Sequence, residues 1–494
     1  MSDVPDAPSS RPGTADITAL PTELLQQIFA ATAEPPSTLW DEDISLTDAH
    51  DLELMLTPYR LASISASWRR LAFQTPELWT FITTAPWSGT DADITRIEVQ
   101  LSRTAQMPLD IVLSALDRGQ EEELITYPSI ILIRRLCDLH YRWRRVRLQL
   151  VDGHGINWDF LSKPMPLLQA FVVLPQRGRL LIDESHVEED FLSASHRIER
   201  LACHTTCIVP TKTWNNLEHL SINLRRQDNQ PLWRTLHHTP NLRRLFIHFP
   251  FLYDVPHNNG VGPSEAVSLR KLEVLGIYGH VEAKFPQWVQ KLCFPSLHSI
   301  AASSYGCYVL DKLFDRFSHQ VRSLVIQREE GSRLSHNDAQ AVLYLTAMED
   351  LEIRTDYLHH SGADGRGSPI LFQGFFEALT SRPGDDRPKL PKLRRVTLVS
   401  EVAQIWEQNM RSFVSFIAQR CAQARDVGET FDFAFHGETP DWFPNVAQRL
   451  RAGEDLTKGF DNPKEEQEER EQGEEKEEQD EEEEEEEEEH ENQV

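Results

Sequence analysis

Cysteine is scarce in this chain, with six in 494 residues, and no Asn-x-Ser/Thr acceptor occurs anywhere. Both absences argue against a disulfide-stapled, glycosylated secreted protein and favour a reducing compartment, cytoplasm or nucleus. Long apolar runs are missing as well. The longest, Leu167 to Leu174, is interrupted by Gln169 and bounded by Pro166 and Pro175. That is far short of the ~18 apolar residues a membrane helix needs. The opening MSDVPDAPSSRPGTAD has neither the basic nor the apolar stretch of a secretory signal, and residues 1–15 read as a disordered leader. Basic charge is in deficit: 50 Lys and Arg face 78 Asp and Glu, for a net −28. A strongly basic nucleic-acid binder is thereby excluded.

The acidity is unevenly placed. Residues 461–494 hold 21 Asp and Glu against 3 Lys and Arg, which accounts for −18 and leaves −10 for the rest. Glu481 to Glu489 is an unbroken run. Like charges repel at every i, i+4 spacing and nothing there can form a core, so 456–494 is expected to be a disordered Glu-rich tail. Solubility is its plain use. Contact with a basic partner such as a histone is the sharper one.

Motifs for chemistry are also lacking. Cys203-His204-x-x-Cys207 is the nearest approach to a metal site, but no second ligand pair follows and Cys203 falls on an inward strand position. The glycines at 362, 365 and 367 have no strand-turn-helix context and no following phosphate-binding lysine, so they read as a loop within 358–369. His237-His238 and His359-His360 are sequence neighbours and diverge in direction. Arg142, Arg144, Arg145 and Arg147 interleave with Trp143, Val146 and Leu148 at strand spacing, which predicts a strand with a basic outer face. No nucleophile elbow or paired-carboxylate site is present. A non-catalytic protein without metal or cofactor is expected.

Two apolar patterns are present. The first lies in ITALPTELLQQIF, residues 17–29. Pro21 suits a first helical turn, Glu23 complements the helix dipole, and Leu24, Leu25, Ile28 and Phe29 make one stripe. Thr57-Pro58 predicts the start of a second helix, with Leu61, Ile64, Trp68 and Leu71 as its apolar positions. Phe73 and Thr75-Pro76-Glu77-Leu78-Trp79 close the unit. LPTELLQQIF followed by LASISASWRRLAFQTPELWTFI resembles the F-box, in the form abundant in basidiomycete fungi. The trailing IEVQLSRTAQMPLDIVL is similar to that form's usual continuation, with Leu101, Arg103, Pro108 and Leu109 at the matching places and Thr104 where Ser is common. Thirty-one residues separate Phe29 from Leu61, longer than in a compact F-box, and include an acidic insertion at about 37–56.

The resemblance implies that module 16–85 binds a Skp-type adaptor and, through it, a cullin–RING ubiquitin ligase. The residues it implicates are Leu20, Pro21, Leu24, Leu25, Ile28 and Phe29, with Leu61, Ile64 and Trp68 on the second helix. An apolar helix stripe in a partner groove has this spacing, although the same stripe also suits an internal core.

The second pattern is a phrase, apolar-x-x-apolar-x-apolar, that recurs through 86–455. Its instances begin at Trp143, Leu168, Ile198, Leu217, Leu242, Leu272, Leu297, Val321, Met348 and Leu393. Intervals run from 19 to 30 residues, with a last one of 45. Most lie near the leucine-rich-repeat period of about 20–29. Helical patterns fall between the phrases: Trp233/Leu236, Trp288/Val289/Leu292, Leu310/Leu313/Phe314/Phe317 and Leu371/Phe372/Phe375/Phe376/Leu379. The repeat is degenerate, because Arg225, Pro250, His280 and Tyr305 stand where a regular repeat carries its ladder Asn or Cys.

The fold expected is α/β: a small helical F-box-like module, an irregular leucine-rich-repeat-like solenoid and a disordered tail. Within the solenoid, Arg244, Phe246, His248 and Tyr278 are candidates for holding a protein substrate. The expected function is substrate recognition in a Skp-cullin-F-box type ubiquitin ligase. The alternatives are a ligase-independent scaffold with a vestigial F-box and, on the tail alone, an acidic histone-binding protein.

Overall fold

The computed structural model describes residues 20–40, 48–83, 91–114, 127–149, 163–174, 192, 195–203, 213–223, 230–249, 266–279, 290–304, 310–327, 334–355, 374–381, 389–400, 410–437, 439–454 and 456. The leader 1–15, the tail beyond Leu456, the 358–369 loop, His204 and Cys207 lie outside them. The chain divides into two units, Met1–Gly276 with Gln290–Ser296, and Ile277–Val289 with Leu297–Val494.

The first unit opens with α1 (Thr22–Thr32). Pro21 stands at its cap, where a missing N–H costs nothing, and the Pro21 carbonyl accepts from Leu24 and Leu25. The second helix departs from expectation. It starts not at Thr57 but at Asp48, inside the acidic insertion, and runs to Ile64 as α2 with Pro58 within it. The Thr57 hydroxyl bonds back to the Glu53 carbonyl in the preceding turn and does not cap. At Ser65 the chain becomes extended, and its Oγ accepts from the Trp68 N–H to start α3 (Ala66–Phe73). The stripe expected on one helix is therefore split between two.

Leu25, Phe29, Ala33, Ala62, Leu71, Ala72, Leu78 and Trp79 form this region's core, with Tyr59, Leu61 and Trp68 at its margin. Leu78 and Trp79 enter it from a 3-10 turn over Pro76–Trp79, and the Trp79 indole N–H donates to the Ala72 carbonyl at 2.8 Å. This explains the Thr-Pro-x-Leu-Trp phrase. The trailing phrase is explained too. Leu101 is buried on α4 (Asp91–Arg103), the Arg103 guanidinium lies 4.2 Å from the Phe73 ring centre and 4.3 Å from that of Trp79, and the Thr104 hydroxyl accepts from Arg142 at 2.6 Å.

A parallel sheet fills the rest of this unit. Its strands are β1 (Phe81–Thr83), β2 (Leu109–Ser114), β3 (Trp143–Gln149), β4 (Ala170–Leu174), β5 (Arg200–Cys203), β6 (His219–Asn223) and β7 (Arg244–Phe249), neighbours in sequence order. Helix α5 (Tyr127–Asp138) precedes β3, and α6 (Gln230–His237) precedes β7. A side pair joins β8 (Val267–Ser268) to β10 (Leu292–Cys293). Leu292 therefore sits in a short strand, not the helix expected there. Between them lies β9 (Val274–Gly279), where the two units meet in the chain.

In the second unit, β11 (Ser299–Ser303), β12 (Ser323–Gln327), β13 (Asp350–Arg354), β14 (Arg395–Ser400) and β15 (Asp432–Gly437) are again parallel and in sequence order. Its helices are α7 (Asp311–Arg316), α8 (His336–Val342), α9 (Phe375–Leu379), α10 (Met410–Asp426) and α11 (Phe443–Arg451).

Every one of the ten phrases leads into a strand. The second and third apolar positions are buried on one face and register across strands, as in Leu201↔Leu220, Leu220↔Leu245 and Leu351↔Val396. In one of the ten, Trp143 is buried as the first residue of β3; in the other nine the first apolar position is buried in the turn before the strand. There, one carbonyl accepts two N–H groups from the following repeat: Glu218 accepts from Arg243 and Arg244, and Arg322 from Glu349 and Asp350. In β2 and β15 the first position is Pro108 and Thr430, which hides those strands from the pattern.

Candidate functional site

Helix α1 separates its apolar residues by face. Leu25 and Phe29 point into the core, Phe29 lying 4.9 Å from Trp68 between ring centres. Leu24 and Ile28 remain 45% and 42% exposed at i, i+4 on one face of α1, and Leu20, just before the helix, is 37% exposed. Ile64, at the end of α2, is 60% exposed. Of the nine residues implicated, Leu20, Pro21, Leu24, Ile28 and Ile64 are thus open, and Leu25 and Phe29 are internal. Leu61 and Trp68 are half-buried at the core margin. An exposed row of large aliphatic residues on a helix already packed on its other side is a surface that can dock a partner.

A second feature was not legible in the motifs. The insertion's first residues, Ser37–Trp40, form a 3-10 turn laid on the sheet face opposite Val146 and Leu148. Leu39, Trp40 and Met55 are buried there against Phe81, Val112 and Ala170. Arg147 donates to the Leu39 carbonyl at 2.7 Å, Arg200 donates to that of Ser37 at 3.2 Å, and the Arg145 guanidinium lies 5.0 Å from the Trp40 ring centre. The available signal was Leu39-Trp40 itself, a large apolar pair at the edge of an acidic loop.

Beneath this contact, β2 and β3 shift register at Leu109/Asp110, so that Asp110 faces Arg145 and Arg144 is the extra residue. Both guanidinium groups then clamp the fully buried Asp110 carboxylate, their Nε atoms at 2.9 and 3.0 Å from Oδ1. That hydrogen bond raises the Arg144 pKa above its ordinary value despite burial. The basic outer face expected of β3 is therefore largely engaged. Arg142 and Arg147 are buried, and Arg142 donates to Thr104 and the Met107 carbonyl.

The substrate candidates are placed unevenly. Arg244 is exposed and His248 half-buried. Phe246 is buried, stacked on His219 at 5.2 Å, and lies over Gly276, where a Cβ would fall 2.1 Å from the Phe246 ring. Glycine at 276 is what lets that ring lie flat on the sheet. Tyr278, in the other unit, is buried.

At the strand-leading edge of the first unit, Glu199, Glu218, Asn241, Arg243, Lys271 and Glu273 line a polar groove of about 560 Å³. Its floor is a ladder of side chains one residue before the first apolar position. Asn216 donates to the His196 carbonyl at 2.8 Å, Asn241 to that of Asn215 at 2.6 Å, and Ser296 to that of Arg270 at 2.8 Å. Arg243 and Glu273 pair across it. The mixed charge and open pairing suit a structural edge more than a ligand site.

Among the described residues, no group of three or more His, Cys, Asp or Glu converges to hold a metal, and no helix is long and apolar enough to cross a membrane. Compared with known proteins, the chain matches no family model and no curated protein.

Proposed function

We propose that this chain is the substrate-recognition subunit of a Skp-cullin-F-box type ubiquitin ligase. Helix α1 docks the Skp-type adaptor, and the parallel sheet, an irregular leucine-rich-repeat-like solenoid, recruits a protein target. The observation that carries this reading is the outward pair Leu24 and Ile28 on α1, with exposed Leu20 just before it, on a helix whose opposite side already packs on Trp68 and Trp79. Such a row costs solubility unless something covers it. The places of Leu101, Arg103 and Thr104 around that core lend it further support. In this role the protein carries no chemistry of its own, since ubiquitin transfer lies in its partners, and it acts in the cytoplasm or nucleus.

Co-purification of a Skp-type adaptor and cullin with the tagged chain is the test. The exposed double variant Leu20→Ala, Pro21→Ala should lose the adaptor while melting like the parent. Retention would remove this site. A parent chain that captures no adaptor would favour the alternative, a ligase-independent scaffold with a vestigial F-box. The helix break at Ser65 and the long connection from Phe29 to Leu61 speak for that alternative.

A further inference from the structure

We propose that β15 is a dimerisation edge and that its partner is a second copy of this chain, paired antiparallel about a two-fold axis at Ala434. Among the described residues β15 is the terminal strand of the sheet and pairs with β14. A terminal strand is a template for a further strand. This inference does not rest on the ligase reading.

Three observations select a second copy as that strand. The first is the phase of the main chain. The Asp432 N–H donates to the Arg394 carbonyl, so Asp432, Ala434 and His436 turn their main chain toward β14, and by alternation Phe433 and Phe435 turn theirs to the outer edge. An antiparallel neighbour bonds such outward residues as reciprocal pairs, and the residues between them form close pairs without hydrogen bonds. With the axis at Ala434, Phe433 faces the partner's Phe435 and exchanges both bonds with it, on each side of the axis.

The second is the order of side chains. Residues 432–436 read Asp-Phe-Ala-Phe-His, which is symmetric about Ala434 and complementary at its ends. This register sets Asp432 opposite the partner's His436 on both sides of the axis, an attractive cross-strand pair. Within the chain Arg395 shares the Asp432 carboxylate at 3.4 Å. The smallest side chain falls on the axis itself, where the backbones approach most closely, at about 4.5 Å between Cα atoms.

The third is an opening in the core. Val396 and Leu398 of β14 are fully buried, whereas their neighbours in β15 differ: Phe433 is buried and Phe435 only half-buried. The Phe435 ring lies 5.3 Å from that of Phe443 on α11, yet part of it stays open to solvent. In the paired register the partner's Phe433 stands opposite that ring and covers it. Isologous pairing of this kind uses up the edge and closes at two copies.

Sedimentation velocity of the full chain, over about 1–100 μM in ~0.15 M salt, should show monomer and dimer in exchange and nothing larger. His436→Asp sets like charges opposite each other twice and should weaken the dimer at least about tenfold while the chain melts like the parent. Adding Asp432→His exchanges the two roles and should restore the dimer, which a merely damaged fold would not do. Ala434→Cys should join two chains by a disulfide on mild oxidation, because Cα atoms about 4.5 Å apart are within disulfide reach. This variant is made with Cys293→Ser, which removes an exposed thiol. Asp432→Cys in the same background places its thiols four residues apart along the strand, about 13 Å, and should not cross-link. A parent chain that stays monomeric at the highest concentration overturns the proposal. So does a dimer that His436→Asp leaves intact, a species larger than two copies, or a disulfide formed from position 432 and not from 434.

Discussion

If α1 docks an adaptor as proposed, truncating Leu24 and Ile28 together to alanine separates docking from folding. Full burial of a leucine or isoleucine is worth about 1.5–3 kcal/mol, and both side chains keep nearly half of their surface exposed, at 45% and 42%. Each therefore holds about 1 kcal/mol for a partner, and the pair about 2 kcal/mol, roughly 30-fold in Kd. The same double substitution removes little from the folded chain, within about 0.5 kcal/mol per site, as is usual at a surface. Leu25→Ala or Phe29→Ala, one turn face away, deletes core instead, at about 2–5 kcal/mol of stability. Isothermal titration against the purified adaptor and thermal melting of each variant measure the two quantities separately. The reasoning fails if the Leu24/Ile28 variant keeps its adaptor affinity while folded, or if it melts as early as Phe29→Ala.

Other expectations follow from the interior. Asp110→Ala leaves the Arg144 and Arg145 guanidinium groups without their buried counter-ion and should cost about 3–5 kcal/mol in urea unfolding; a loss under ~1 kcal/mol would show the clamp to be unimportant. Arg420, buried on α10, donates to the carbonyls of Lys389, Leu390 and Leu393 and so holds the turn before β14, although burial lowers its pKa to about 10. Arg420→Met strips those carbonyls of their donors and should destabilise by about 2–3 kcal/mol, with β14 amides exchanging faster than those of β12. Burial lifts the Cys137 thiol to about 12. Between its ordinary 9 and that value the native state keeps a proton the unfolded chain has released, so this thiol's contribution to stability is intact below pH 9 and lost as pH rises through about 12. Iodoacetamide at pH 8.5 should accordingly modify exposed Cys293 well before Cys137, read by mass spectrometry; equal rates would contradict the burial.

Period and spacing made the strands legible because a half-buried strand must alternate, and each repeat must bury a turn residue before its strand begins. That constraint is local, so Leu217/Leu220/Ile222 announces β6 on its own. Where the first position is Pro108 or Thr430 the rule is relaxed, and β2 and β15 do not show the pattern. The start of α2 departs from expectation for a related reason. Thr57-Pro58 has the chemistry of a cap, but the helix already runs from Asp48 with Pro58 inside it, and Ser65 supplies the cap that matters two turns later.

What the chain's order of residues determined unaided is the α/β class, the parallel strand phrase and the apolar content of α1. Which apolar residue faces inward was not determined there, since Leu24 and Leu25 are chemically identical and differ only in the direction of one helical step. Packing against Trp68 and Trp79 decides that Leu25 is core and Leu24 surface. The contact of Ser37–Trp40 with Arg147 and Arg200 joins residues more than 100 apart in sequence. No periodicity encodes such a pairing; it exists only because parallel strands bring β3 and β5 beneath a segment that precedes them all.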